Sequence, residues 1–226
     1  MARKPRAEAP GATHHVVAKG NAGHAIVYND DDRRQLIARL SRAIELHGWT
    51  CLAYCLLDTH LHLIVETPEP NLGVGMKWFK GAYAQDFNYR HGRTGHLFGG
   101  RFYSEIIRRE RHLIATIVYV ILNPVRAGIV DDARHWPWSS YAATIGLVPA
   151  PRFLAVSKTL ELIDERADVG RRLLTSAVAE AASTRLAVDG VGVRPVGSDP
   201  STVGSDPSTS ARDLTQHLRA YGDVST

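Results

Sequence analysis

The sequence predicts an α+β fold: an antiparallel sheet with elements in the order βαββαβ, helices on one face, and one further helix after the last strand. Three observations carry that prediction. Short β-branched and apolar runs alternate with longer segments of helical period in that order. Glycine or aspartate marks most of the boundaries. A last, almost wholly apolar segment is closed by Pro124, which cannot continue a helix.

Taken in order, a Pro/Gly/Ala-rich start leads into HHVVAKGN, a short strand ending at Gly20. NDDDRRQLIARLSRAIELHG follows as a helix. Its Leu36, Ile37, Leu40, Ile44 and Leu46 keep roughly helical spacing, its acids favour the N-terminus, and Gly48 ends it. WTCLAYCLL and HLHLIVE are strands joined by a tight turn at Asp58 and Thr59. NLGVGMKWFKGAYAQDFNYRHG is a long amphipathic helix weakened by its glycines. GHLFGGRFYSEIIRR is a turn and a strand, and ERHLIATIVYVILN is the last helix before Pro124. Strand, helix, strand, strand, helix, strand is the split βαβ order of a ferredoxin-like sheet.

Residues 131–147 form a compact, aromatic-rich tail to this domain, which we bound at residues 1–150. A helical extension is expected over 151–190. Beyond it, VGSDPST at 196–202 is copied at 203–209. Such Pro/Gly/Ser/Asp repeats build no core, so 191–226 reads as a disordered tail. The acidic, repeat-bearing stretch from 153 onward reads as dispensable for the site.

The chain has 226 residues, 44% of them hydrophobic, enough for one ordinary core. No stretch approaches the ~20 apolar residues of a membrane span, and the basic start lacks an apolar signal-peptide centre. The expected location is cytoplasmic, without a membrane partner. Cys51 and Cys55 share one apolar run, too far apart along a strand to bond, and are expected as buried free thiols. The formal net charge is +4, but residues 77–126 alone carry nine Lys and Arg against three Asp and Glu. A basic segment in near-neutral sequence is what a phosphate backbone attracts.

Three places carry candidate chemistry. His60 and His62 lie two apart on a predicted strand and so share a face, with Leu61, Leu63 and Val65 turned into the core. Two imidazoles on one face make half of a divalent-metal site, although polar-face histidines on a half-exposed strand fit the same spacing. Tyr119 and Asn123, four apart on an apolar helix, share a face about 6 Å apart. A tyrosine oxygen can be a nucleophile and an asparagine carbonyl suits a hard cation. A core tyrosine and a helix-end asparagine before proline fit equally. Finally, Arg101, Arg108, Arg109 and Arg111 interleave with Phe98, Phe102 and Tyr103. Arginines that follow a backbone beside aromatics that stack on unpaired bases describe a single-strand surface. Lys77, Trp78 and Lys80 extend it, and Arg126 is placed to hold a phosphate.

In this order and spacing, GN, DDDRRQLIARL, YCLLDTHLHLIVETP, GHLFGGRF and YVILNPVRAGIV resemble the REP-associated tyrosine transposases, single-tyrosine members of the HUH superfamily. The resemblance covers about residues 13–147. It implies a ferredoxin-like fold with the tyrosine on the helix after the last strand. It implies His60, His62 and Asn123 as ligands of Mg²⁺ or Mn²⁺, and Tyr119 as the nucleophile of a 5′-phosphotyrosine intermediate. It implies single-stranded or hairpin DNA as partner, bound by residues such as Lys77, Lys80, Arg101, Arg108 and Arg126, and a monomer or homodimer. Three positions depart from the family. Thr59 stands where asparagine is common, a change placed in the hairpin and not on a ligand. Gly99 replaces a common glutamine, a position read as a DNA contact. Val118 replaces an arginine before the tyrosine. Two other readings remain open. One is a domesticated DNA-binding protein that no longer cuts. The other is a metal-dependent hydrolase of small phosphoesters, which would have no use for a long basic stretch.

Overall fold

The computed structural model describes residues 8–189. The tail expected over 191–226 lies outside the described residues. Strands β1 (Ala12–Lys19), β2 (Thr50–Leu56), β3 (His60–Thr67) and β4 (Tyr103–Ile107) form one antiparallel sheet in the order β2-β3-β1-β4. This is the ferredoxin-like arrangement read from the order of elements. Asp58 and Thr59 make the turn between β2 and β3, closed by Leu57 N–H donating to the His60 carbonyl at 2.9 Å.

Helix α1 (Asp30–His47) begins where the side chain of Asn29 accepts from the Asp32 N–H, with three aspartates in its first turn. It ends at Gly48, whose φ of +64° is the left-handed cap geometry. Helix α2 (Leu72–Arg90) runs unbroken despite its glycines. Both pack on one sheet face, where Leu36, Leu40, Met76, Phe79, Tyr83 and Phe87 meet Val16, Ala18, Leu61, Leu63 and Val65.

Helix α3 (Glu110–Ile121) and the short α4 (Asn123–Arg126) follow β4. The expectation of helices on one face holds for α1 and α2, and the further helix, α3, covers the opposite face. Side chains alternate along a strand, so Ala53, Cys55, Ile64 and Ile107 point away from the first core and build a second one with Ile117, Val120 and Ile121. The tyrosine helix therefore lies on the same sheet face as His60 and His62. One irregularity separates the cysteines. Cys51 pairs with Val65 and Ala53 with Ile64, so an extra residue is inserted between them. Cys51 consequently joins the first core and Cys55 the second. Both are free thiols, and burial pushes both up, Cys55 to about 12.

The segment after α4 seals the outer edge of β2. Leu56 N–H donates to the Trp138 carbonyl, Ser140 N–H to the Tyr54 carbonyl, and Ala155 N–H to the Cys51 carbonyl, all at 2.9 Å. An exposed sheet edge is a template for unwanted pairing, and here the chain's own backbone occupies it. Helices α5 (Tyr141–Thr144), α6 (Val156–Glu161) and α7 (Ala167–Asp189) complete the fold. Leu174, Ala177 and Val178 of α7 are buried in the second core. The part of the extension read as dispensable is thus packed on the sheet. Among the described residues, no helix is long and apolar enough to cross a membrane.

The glycines of α2 have different roles. A Cβ on Gly75 would stand 2.3 Å from the Trp49 ring, and Trp49 is fixed by its indole N–H donating to Asn71 Oδ1 at 2.6 Å. Nothing lies within 4 Å of a Cβ on Gly81. Gly75→Ala is therefore expected to destabilise by about 1–3 kcal/mol through overpacking. Gly81→Ala is expected to stabilise by about 0.5–1 kcal/mol through helix propensity. Urea midpoints of the two variants check this opposite sign.

Candidate active site

His60 and His62 open β3 and face α3. Their ring centroids are 4.9 Å apart in an edge-on arrangement. Each imidazole is tied through Nδ1. His60 Nδ1 lies 2.8 Å from Thr59 Oγ1, and His62 Nδ1 lies 3.1 Å from Nε2 of His15. No described protein group hydrogen-bonds either Nε2. The Thr59 change was placed in the hairpin and away from the ligands. The structure corrects this: its hydroxyl touches a histidine of the pair.

Burial is the main cause that lowers these histidines. It takes His60 to about 4, with Lys19 adding to the effect. His62 goes well below its usual value, by burial and then by His60, His15 and Lys19. His15 falls to about 4 by burial, opposed by Glu105 and reinforced by His112. All three are neutral at physiological pH, the state in which imidazole binds a metal. Two neutral imidazoles on one face, each with an unengaged Nε2, fit a divalent cation. Among the described residues no three His, Cys, Asp or Glu side chains are grouped to hold an ion. A third protein ligand would be of another type.

The same shifts fix a pH dependence. In the fold His15 and His60 take up protons only near pH 4, whereas the unfolded chain takes them up below about 6.5. Between those values the unfolded state binds more protons, so folding stability rises with pH. The contribution is fully present above about 6.5 and is lost as pH falls through 4. We expect the urea midpoint to fall steadily over that window, as the unfolding free energy drops by roughly 1 kcal/mol per pH unit from each histidine at the steepest. His15→Gln should flatten the slope.

Tyr119 lies on α3 against these rings. Its ring centroid is 5.8 Å from His62 and 6.1 Å from His15, edge-on to both. The Arg126 guanidinium sits 5.1 Å from the Tyr119 ring centroid, a cation over the aromatic face. Val118, the neighbour that replaces an arginine, is buried in the second core. A charged group would not be accommodated there without cost.

Asn123 is buried at the start of α4, two residues past the end of α3. Its Nδ2 donates to the Tyr119 carbonyl at 2.9 Å and the Val120 carbonyl at 3.4 Å. Pro124 has no N–H, so the Val120 carbonyl lacks its usual helical donor and the asparagine amide takes that place. Among the described residues no hydrogen bond joins Asn123 to His60 or His62. Both bonds use the amide nitrogen, and neither engages Oδ1.

The basic residues separate into two groups. Lys77, Lys80 and Arg101 line one pocket of about 340 Å³ with Met76, Gly100 and Phe102, beside α2. Helix α2 covers the face opposite the histidines, so these three do not join the tyrosine. Arg126 does. Arg108 is exposed just after β4. Gly99, read as a DNA contact, instead lies against β1's exit: its N–H donates to the Lys19 carbonyl at 3.0 Å, and a Cβ there would stand 3.2 Å from the Gly20 carbonyl.

Two residues escaped sequence reasoning. His15 bonds His62, and Lys19 stands directly across from His60. Only the β1–β3 register brings them to the site.

A scan against protein-family models finds no match. Among curated proteins, a Haemophilus influenzae protein assigned to the REP-associated tyrosine transposases is 24% identical over 125 residues, covering 50% of this chain and 71% of that protein. The REP-associated tyrosine transposase of Escherichia coli is 26% identical over 110 residues, covering 48% of this chain and 62% of its own length. A solved REP-associated tyrosine transposase, bound to a REP hairpin, superposes with a TM-score of 0.55 over 66% of this chain and 89% of that one, at 21% identity. The chain is similar to the REP-associated tyrosine transposases. Its α+β fold with a four-stranded antiparallel sheet is that of the REP-associated transposase structure.

Proposed function

We propose that this chain is a metal-dependent single-stranded DNA endonuclease and strand transferase that forms a 5′-phosphotyrosine intermediate on hairpin DNA. The carrying observation is the convergence of Tyr119 on the His60–His62 face, together with two unengaged imidazole nitrogens. The hairpin assignment comes from the relative that is bound to one.

His60 and His62 would hold Mg²⁺ or Mn²⁺, with Asn123 Oδ1 as a third ligand. When bound, the cation polarises the scissile phosphodiester. Tyr119 Oη then attacks phosphorus in line, the 3′-hydroxyl leaves with a proton, and the 5′-phosphate stays on the tyrosine. Attack by another 3′-hydroxyl reverses the step and joins strands without external energy. Arg126, over the Tyr119 ring, and Lys19, across from His60, place positive charge where phosphate charge develops. Lys77, Lys80 and Arg101 grip a more distant part of the DNA, with Arg108 alongside.

The test incubates the full chain with labelled single-stranded hairpins from the DNA flanking its gene, with Mn²⁺ or with chelator. A labelled band that migrates with the protein on a denaturing gel, and that chelator removes, supports the reading. Hairpin binding with no adduct under any metal favours the domesticated binder.

A further inference from the structure

The geometry points to His15 and Thr59 as positioning residues that hold the two metal-binding histidines in the tautomer that presents Nε2. The inference rests on the metal reading of His60 and His62 given above. A neutral imidazole has one N–H and one lone pair. If the proton is on Nδ1, the lone pair is on Nε2, and the reverse tautomer cannot ligate through Nε2 at all. The partner of Nδ1 decides between them.

Each histidine has one such partner. Thr59 Oγ1 lies 2.8 Å from His60 Nδ1 and is placed to accept its N–H. His15 Nε2 lies 3.1 Å from His62 Nδ1, and in the proposed arrangement it accepts from His62 Nδ1–H. The second bond requires His15 to carry its own proton on Nδ1. Glu105 pairs with His15 in the β1–β4 register and acts on its charge, which puts a carboxylate near that ring. His15 is additionally fixed by its near-parallel stack on His62, 5.4 Å between centroids and 13° between planes. A ring held in this way sets both the tautomer and the rotation of its neighbour. It binds no metal itself, because the nitrogen facing the pair is already used as the acceptor.

Thr59 gives the family difference a physical meaning. A threonine hydroxyl here does what a side-chain amide oxygen at the same turn position can also do, which is to accept one N–H.

The test uses the full chain in two measurements. Long-range proton–nitrogen spectra of histidine-labelled, metal-free protein distinguish protonated from bare ring nitrogens. We expect Nδ1–H with bare Nε2 for both His60 and His62. His15→Phe should disturb the pattern of His62 alone, and Thr59→Val that of His60 alone. Mn²⁺ titration by calorimetry is the second measurement. The dissociation constant should rise ten- to hundredfold in each of the two variants. Thr59→Ser, which restores the hydroxyl, should return to the wild-type value. Thr59 sits half-buried in the turn between β2 and β3, outside both cores, so its variant keeps the test independent of any folding defect in His15→Phe. Protonated Nε2 in the wild type overturns the inference. So does wild-type affinity in both variants, which leaves the metal reading intact. A wild-type chain that takes up no Mn²⁺ overturns both.

Discussion

On the proposed reading, Tyr119→Phe is expected to abolish the covalent protein–DNA adduct and to leave hairpin binding within about twofold. The substitution removes one oxygen and keeps the ring. The edge contacts to His62 and His15 and the guanidinium of Arg126 over the ring face need only the ring, so the local packing survives. Tyr119 is only partly buried and no hydrogen bond to its hydroxyl is described. Loss of that hydroxyl leaves no buried group unsatisfied, and the stability cost should stay within about 0.5 kcal/mol. The proposed chemistry, by contrast, would lose its nucleophile outright. Gel shift and denaturing gel, run on the same samples, separate binding from bond formation. An adduct that persists in Tyr119→Phe places the nucleophile elsewhere.

Much of this was legible because the signals are local. The strand-helix order, the turn at Asp58 and Thr59, and the helix stop at Pro124 each follow from a few neighbouring residues. The shared face of His60 and His62 follows from strand parity. What the sequence conceals are facts of long-range pairing. Lys19 and His15 reach the site only through the β1–β3 register, which joins residues more than forty apart. In HHVVAKG nothing local tells His14, buried with both ring nitrogens unpartnered, from His15, bonded to the site. The inserted residue between Cys51 and Ala53 reverses strand parity and is invisible to a period-two reading. The basic stretch read as one surface divides between two sheet faces, since charge composition carries no direction.

The dispensability expected from composition fails for the same reason, and truncation exposes it. A chain ended after Arg152 should be unfolded or molten at room temperature, whereas one ended after Asp189 keeps every described contact of the extension. The first truncation removes Leu154, Leu160, Leu174 and Val178, each at most 6% exposed. Loss of a buried aliphatic side chain costs about 2–5 kcal/mol, cavity included. A few such losses match the whole stability of a domain, about 5–15 kcal/mol. The same cut strips the β2 edge of the Ala155 N–H and of the Thr159 hydroxyl, which donates to the Leu52 carbonyl at 2.9 Å. It also removes the Lys158–Glu66 ion pair, although a pair this exposed adds little. Behind β2 lies β3 with both histidines, and α7 packs in the core that carries α3 and Tyr119. Weakening that layer would loosen Tyr119 against His60 and His62, and on the proposed reading small misplacements there cost rate heavily. Thermal melts followed by circular dichroism, with adduct formation assayed in parallel, decide the matter. A cooperative melt near the full chain's midpoint in the Arg152 truncation would show that the extension is an ornament on the domain and not part of its core.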